Sequence, residues 1–219
     1  AGKSTIVNAI SQGVSYTGAV RVLEKDVKRY RPHELAKLVG VLSQSHSMGY
    51  GVTVGSGVRL GRYAYAPGLF SGGDDADERM VARALELTGM TRFVDQNVLT
   101  LSGGELQRTF LAQLFAQNPR VLLLDELTNH LDLVYQKQVF ELISEWLKTP
   151  GRAVVSVVHD LSLARAYGTQ ALLLDEGKTI AYGEIERVFS KENLNMAYAM
   201  DVSAWMRGLL SQWREEEIE

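Results

Sequence analysis

An α/β fold with a parallel sheet is what this sequence predicts, on three observations. Short apolar runs ending in polar residues, VLLL at 121–124, AVVSVV at 153–158 and ALLL at 171–174, read as buried parallel strands. Helical patterns lie among them, with Tyr135, Val139, Leu142, Ile143 and Trp146 on one helical face and Phe110, Leu111, Leu114 and Phe115 on another. Strand and helix therefore alternate, which is the pattern of crossover connections in a parallel sheet.

In chain order, AGKST at 1–5 has the look of the end of a phosphate-binding loop entering a helix. From Gly49 to about Asp77 the chain is rich in Gly and Tyr, and SGGDDADE reads as a loop running into a helix cap. Residues 80–88 have helical periodicity, so the middle of the chain is expected to be a mainly helical insertion between two α/β halves. In LSGGELQR at 101–108, Ser102 is placed to cap the following helix, and the two glycines allow backbone to approach a ligand closely. DEGK at 175–178 reads as a hairpin turn that adds an antiparallel element to the sheet. The closing REEEIE reads as a solvated helix end.

Composition narrows the function classes. With 219 residues, 46% of them hydrophobic, the chain can bury a full core as one domain. Net charge is −3 with scattered basic residues, so no electrostatic footprint for nucleic acid is expected. There is no cysteine, hence no disulfide framework and no thiolate metal site, which fits a reducing compartment. The apolar runs fall far short of the ~20 residues that cross a bilayer.

VLLLDE carries the chemistry. A strand ending in two acids puts Asp125 and Glu126 at the carboxyl edge of the sheet, where open α/β folds bind ligands. One carboxylate can anchor Mg²⁺, and the next can polarise an attacking water. A strand that merely ends in a polar loop is the plain alternative, and GKST weighs against it. Lys3 would reach the β- and γ-phosphates of a nucleotide, Ser4 would ligate Mg²⁺, and backbone N–H groups around Gly2 would meet anionic oxygens.

LSGGELQR, followed by VLLLDELTNHLD and then VVSVVHD, closely resembles the signature, Walker B, D-loop and switch-histidine motifs of ATP-binding cassette (ABC) ATPases. VGVLSQS puts Gln44 at that family's Q-loop, and the resemblance runs from Ala1 to about Asn193. It implies a P-loop NTPase core with a parallel sheet plus a mainly helical signature subdomain, the N-terminal strands being absent. It further implies a single nucleotide-binding domain over 1–219, a helical subdomain at about 46–118 and a C-terminal helical extension at about 190–219. Gly2, Lys3, Ser4 and Thr5 match the end of the Walker A loop. Ser102, Gly103, Gly104 and Glu105 would bind ATP held by the opposite subunit, and Asp132 belongs to the D-loop at the dimer interface. Asp125 would hold Mg²⁺ together with Ser4 and Gln44. Glu126 would be the general base, and His159, expected at the level of Asp125 on the sheet edge, would contact the γ-phosphate. ATP and Mg²⁺ are the implied cofactors.

Two departures from the family pattern stand out. Leu127 occupies the place after the Walker B glutamate where the family usually has proline, which loosens a turn but leaves the carboxylates. The strands, the adenine-stacking aromatic and the first half of the loop that precede GKST in the family are not in this sequence. A cassette cut within its phosphate loop is therefore expected, with weakened ATP binding by the chain as it stands. The segment from Gln44 to Leu101 is too short for the coiled coils of chromosome-structuring relatives, and a second cassette is absent. VTVGSGVRLGRYAYAP and YRPHELAKLVGVLSQ resemble importers for iron–siderophores, haem and cobalamin. That implies a second nucleotide-binding domain (a homodimer), transmembrane permease subunits, an indirect substrate-binding protein, and a peripheral place on the cytoplasmic face of the membrane. The plain reading of Arg62, Tyr63 and Tyr65 is a packed, hydrogen-bonded helix end. A cassette that binds nucleotide without turnover, and an ABC ATPase of another transporter class, are the competing functions.

Overall fold

The computed structural model describes residues 2–43, 51–65, 75–126 and 132–213. Two compact units are present, Ser4–Val158 and a second made of Ala1–Lys3 with His159–Glu219. In the first lie most of α1 (Lys3–Ile10), β1 (Arg21–Val22), β2 (Lys25–Asp26), α2 (Pro32–Ala36), β3 (Val39–Leu42), α3 (Val54–Arg59) and α4 (Asp75–Leu87). They are followed by α5 (Gly103–Gln117), β4 (Val121–Asp125), α6 (Leu133–Leu147) and β5 (Ala153–Val157). The second unit holds α7 (Leu161–Tyr167), β6 (Gln170–Asp175), β7 (Lys178–Glu184), α8 (Ile185–Val188), α9 (Lys191–Tyr198) and α10 (Val202–Ser211).

The predicted parallel sheet is present as β3–β4–β5, with β4 in the middle. Val39 pairs with Val121 and Leu42 with Leu124, while Val121 pairs with Ala153 and Asp125 with Val157. Alternation along β4 splits the core into two. Leu122 and Leu124 join Leu42 and the residues of α3, α4, α5 and α6 on one face. Leu123 joins Val39, Val157, Leu35 of α2 and Val7 of α1 on the other. All three β4 leucines are fully buried, each worth roughly 1.5–3 kcal/mol of transfer free energy.

Two strand expectations need correction. The run at 171–174 lies in β6, but β6 pairs antiparallel with β7 in a sheet of its own and is not one of the parallel strands. The cause is the turn at Glu176 and Gly177, whose φ of +45° and +79° matches the twist of a tight hairpin. The expected hairpin at DEGK is thus present, outside the parallel sheet. The run at 153–158 is not the buried strand that its composition suggests. Among the described residues β5 pairs only with β4, and Val155 is left 42% exposed.

Among the described residues, the insertion between β3 and β4 is mainly helical, with α4 and α5 packed on α3 in the larger core cluster. Thr53 caps α3 by accepting from Ser56 N–H at 3.2 Å. The 3-10 turn that follows, Leu60–Tyr65, is seated on α5 through Gly61. A Cβ at Gly61 would lie 2.1 Å from the Gln113 carbonyl oxygen and 3.0 Å from the Gln117 nitrogen, both backbone atoms that cannot swing aside. Gly61→Ala is therefore expected to destabilise the fold by about 1–3 kcal/mol, read as a lower denaturant midpoint at unchanged m-value. The plain reading of Arg62 holds. Its Nε pairs with Asp77 at 2.7 Å, its Nη1 donates to the Ala116 carbonyl at 2.9 Å, and the guanidinium stacks on Tyr65 at 3.8 Å. Tyr63, in contrast, is 70% exposed.

Candidate functional site

The carboxyl end of β4 is the centre of the site. Asp125 has the strand parity of Leu123, so it belongs to the face that α1 covers. Its Oδ1 is buried and accepts no hydrogen bond among the described residues. A buried carboxylate oxygen without a partner is costly, and a cation or a water held by one would satisfy it. Glu126, half-buried, departs from the strand with φ +57°, its N–H donating to the Val157 carbonyl at 3.3 Å. Such a left-handed residue costs about 1–3 kcal/mol and turns the chain sharply out of the sheet.

On the same face, α1 begins directly after Gly2, whose φ is +86°. Ser4 and Val7 are three residues apart, on one side of the helix, and Val7 lies in the cluster with Leu123 and Val157. Ser4 and Thr5 are exposed, and Lys3 is half-buried. Gly2 and Lys3 fall in the same unit as His159.

The level expected for His159 is corrected. Val157 is the residue opposite Asp125, so His159 follows two positions past that level, exposed, and just ahead of the Asp160 cap of α7. Asp160 accepts from the N–H groups of Ser162 and Leu163 at 2.7 and 3.1 Å. Gln44 and Leu127 lie outside the described residues.

Ser102 caps α5 as its sequence position suggests. Its Oγ accepts from Glu105 N–H at 3.4 Å, and the Glu105 carboxylate accepts in return from Ser102 N–H at 2.8 Å and Oγ at 2.7 Å. The Ser102 N–H, then the Ser102 hydroxyl, hold the Glu105 carboxyl below the usual carboxylate range. Around a Cβ at Gly103 there is open space, whereas at Gly104 the Tyr135 ring would be met at 2.6 Å. Asp132 caps α6 by accepting from Tyr135 N–H at 3.0 Å. The structure therefore brings 102–105 together with Asp132, by way of Tyr135. Sequence reasoning placed Tyr135 only on an apolar helix face and gave Arg108 no role of its own. The available signal was an aromatic three positions past a capping aspartate, with a basic residue four positions past a helix-start glycine.

Comparison with known proteins places the chain in a family. The family model described as ABC transporter matches residues 1–129. The chain is 36% identical over 204 residues to the uncharacterized ABC transporter ATP-binding protein YvrA of Bacillus subtilis, covering 93% of this chain and 46% of that protein. It is 34% identical to the ferric enterobactin transport ATP-binding protein FepC of Escherichia coli, covering 91% of this chain and 73% of FepC. Identity is 39% to the hemin import ATP-binding protein HmuV of Streptomyces coelicolor, covering 94% of this chain and 72% of HmuV. Among solved structures, an ABC transporter assigned to the metal-chelate type, in an inward-facing conformation, superposes with TM-score 0.78 at 25% identity, over 91% of this chain and 74% of that one. A dimeric post-hydrolysis state of the cassette MJ0796 bound to ADP and Pi superposes with TM-score 0.70 at 26% identity, over 84% of this chain and 81% of that one. Fewer than half of YvrA's residues are spanned by the chain, and about three quarters of FepC's and HmuV's. A parallel sheet ending in Asp125 and Glu126, a capped glycine-led α5 and these matches converge: the chain belongs to the ABC transporter family, as an ATPase domain of P-loop NTPase fold.

Proposed function

We propose that the protein is the ATP-hydrolysing subunit of an importer for a metal chelate, with iron–siderophore as the cargo class. The observation that carries the ATPase part is Asp125 at the end of the central strand, on the face covered by α1, with Glu126 directly after it. Lys3 and the backbone around Gly2 hold the β- and γ-phosphates, with Thr5 beside them. Ser4 and Asp125 fit Mg²⁺, since both are oxygen donors and the Asp125 Oδ1 has no other partner among the described residues. Gln44 completes that set. When bound, the ion neutralises phosphate charge in phosphoryl transfer. Glu126 accepts a proton from the attacking water, and His159 orients the γ-phosphate. Residues 102–105 and Asp132 close over ATP held by a second copy of the chain. The helical subdomain at 46–118 carries the surface for the permease, at the cytoplasmic face of the membrane.

The cargo class rests on the relatives named for ferric enterobactin and hemin and on the metal-chelate structure. In a strain lacking the gene, complementation is expected to restore ATP-dependent uptake of a labelled ferric siderophore, and phosphate release by the purified intact protein is expected to stop on adding EDTA. Restored uptake of haem or cobalamin with no siderophore uptake would overturn the cargo. Hydrolysis indifferent to EDTA would overturn the metal assignment.

A further inference from the structure

Two groups that the functional reading places on a partner's ATP, the loop at 102–104 and Asp132, are joined through one residue, Tyr135, by its backbone N–H on one side and its ring on the other. Tyr135 lies in the first turn of α6, where its N–H donates to the Asp132 carboxylate at 3.0 Å. Its ring lies flat on the start of α5: a Cβ at Gly104 would come within 2.6 Å of Cε1 and 2.8 Å of Cδ1 and Cζ. Arg108, one turn further along α5, sets its guanidinium over the same ring, 5.7 Å from the centroid. Its Nη1 donates to Gln138 Oε1 at 3.2 Å, one turn beyond Tyr135 on α6. Arg108 Nε is buried and makes no hydrogen bond among the described residues, so the ring face and Gln138 hold the guanidinium.

We propose that Tyr135 is a positioning residue that makes residues 102–104 and Asp132 move as one body when the composite ATP site closes. The proposal rests on the functional reading above. A planar ring that abuts a glycine and also meets a guanidinium has few alternative positions, because packed contacts shift between discrete arrangements and do not deform smoothly. The glycine is what permits the contact, since any side chain at 104 would push the ring off and uncouple the two helix starts. The ring matters in this arrangement and the phenolic hydroxyl does not, as the contacts at Gly104 and Arg108 are both made by ring carbons.

The test compares Tyr135→Phe, Tyr135→Leu and Tyr135→Ala in the intact protein. Tyr135→Phe is expected to keep kcat and the cooperativity of ATP hydrolysis. Tyr135→Leu and Tyr135→Ala are expected to lower kcat by about tenfold and to bring the Hill coefficient for ATP towards one. ADP affinity of the monomer, read with a fluorescent ADP analogue, is expected to stay unchanged in all three, because ADP binding draws on α1 and not on the α5–α6 junction. Tyr135→Leu retains an apolar side chain of similar bulk and covers the case in which the alanine variant folds poorly. Unchanged kcat and cooperativity in both Leu and Ala variants would overturn the proposal. So would a parallel loss of ADP affinity, which marks the ring as general packing, or a Phe variant as impaired as the Leu variant. Absence of ATP turnover in the unsubstituted protein would bring down the functional reading, and this proposal with it.

Discussion

Glu126→Gln is expected to remove ATP turnover while leaving ATP binding in place. The carboxylate is the only change, because glutamine has the same length and can adopt the left-handed backbone that residue 126 requires with φ +57°. The turn out of β4 and the N–H bond to the Val157 carbonyl therefore persist. What goes is the base that takes a proton from water, a contribution of about 10²–10⁴ in rate. Phosphate release under saturating ATP measures this. A variant that keeps more than about a tenth of the parent rate would move the base to another residue.

Asp125→Asn is expected to lower hydrolysis at least about a hundredfold, because it removes the anionic oxygen that the functional reading assigns to Mg²⁺. Asparagine has the same shape and keeps a polar atom at the buried place of Oδ1, so the end of β4 should keep its fold. A phosphate-release assay over a range of Mg²⁺ concentrations measures the loss, and circular dichroism of the variant checks the fold. Full activity in the variant would take Asp125 out of the metal site.

The strand at 121–125, the faces of α5 and α6, the Ser102 cap and the hairpin at DEGK were all readable from the sequence. Each is set by local chemistry: an apolar run closed by acids, residues three and four apart, a serine three residues ahead of a glutamate. The wrong pairing partner for 171–174 came from composition, which tells that a run is a strand but not whether a two-residue turn will fold it back on its neighbour. The exposure of β5 had the same origin, because burial of a strand depends on what lies beside and above it. Nor could the link through Tyr135 be read, since the closeness of residues 104 and 135 is created by helix packing and leaves only a glycine and an aromatic as its trace. For the candidate site, the acids on β4 and the cap of α5 were legible because their positions follow from one element each. The level of His159 depended on the β4–β5 register, which no local pattern encodes.

ATP-dependent dimerisation of the Glu126→Gln protein is the measurement closest to the central claim, that the chain is an ATPase domain whose site is shared between two copies. Sedimentation velocity on the intact variant should show a monomer alone or with ADP and a dimer with Mg²⁺ and ATP. The added Gly103→Arg substitution, at a position where a Cβ meets nothing within 4 Å among the described residues, should return it to monomer. A variant that binds ATP yet stays monomeric at saturation, or that dimerises equally with ADP and ATP, would contradict the account.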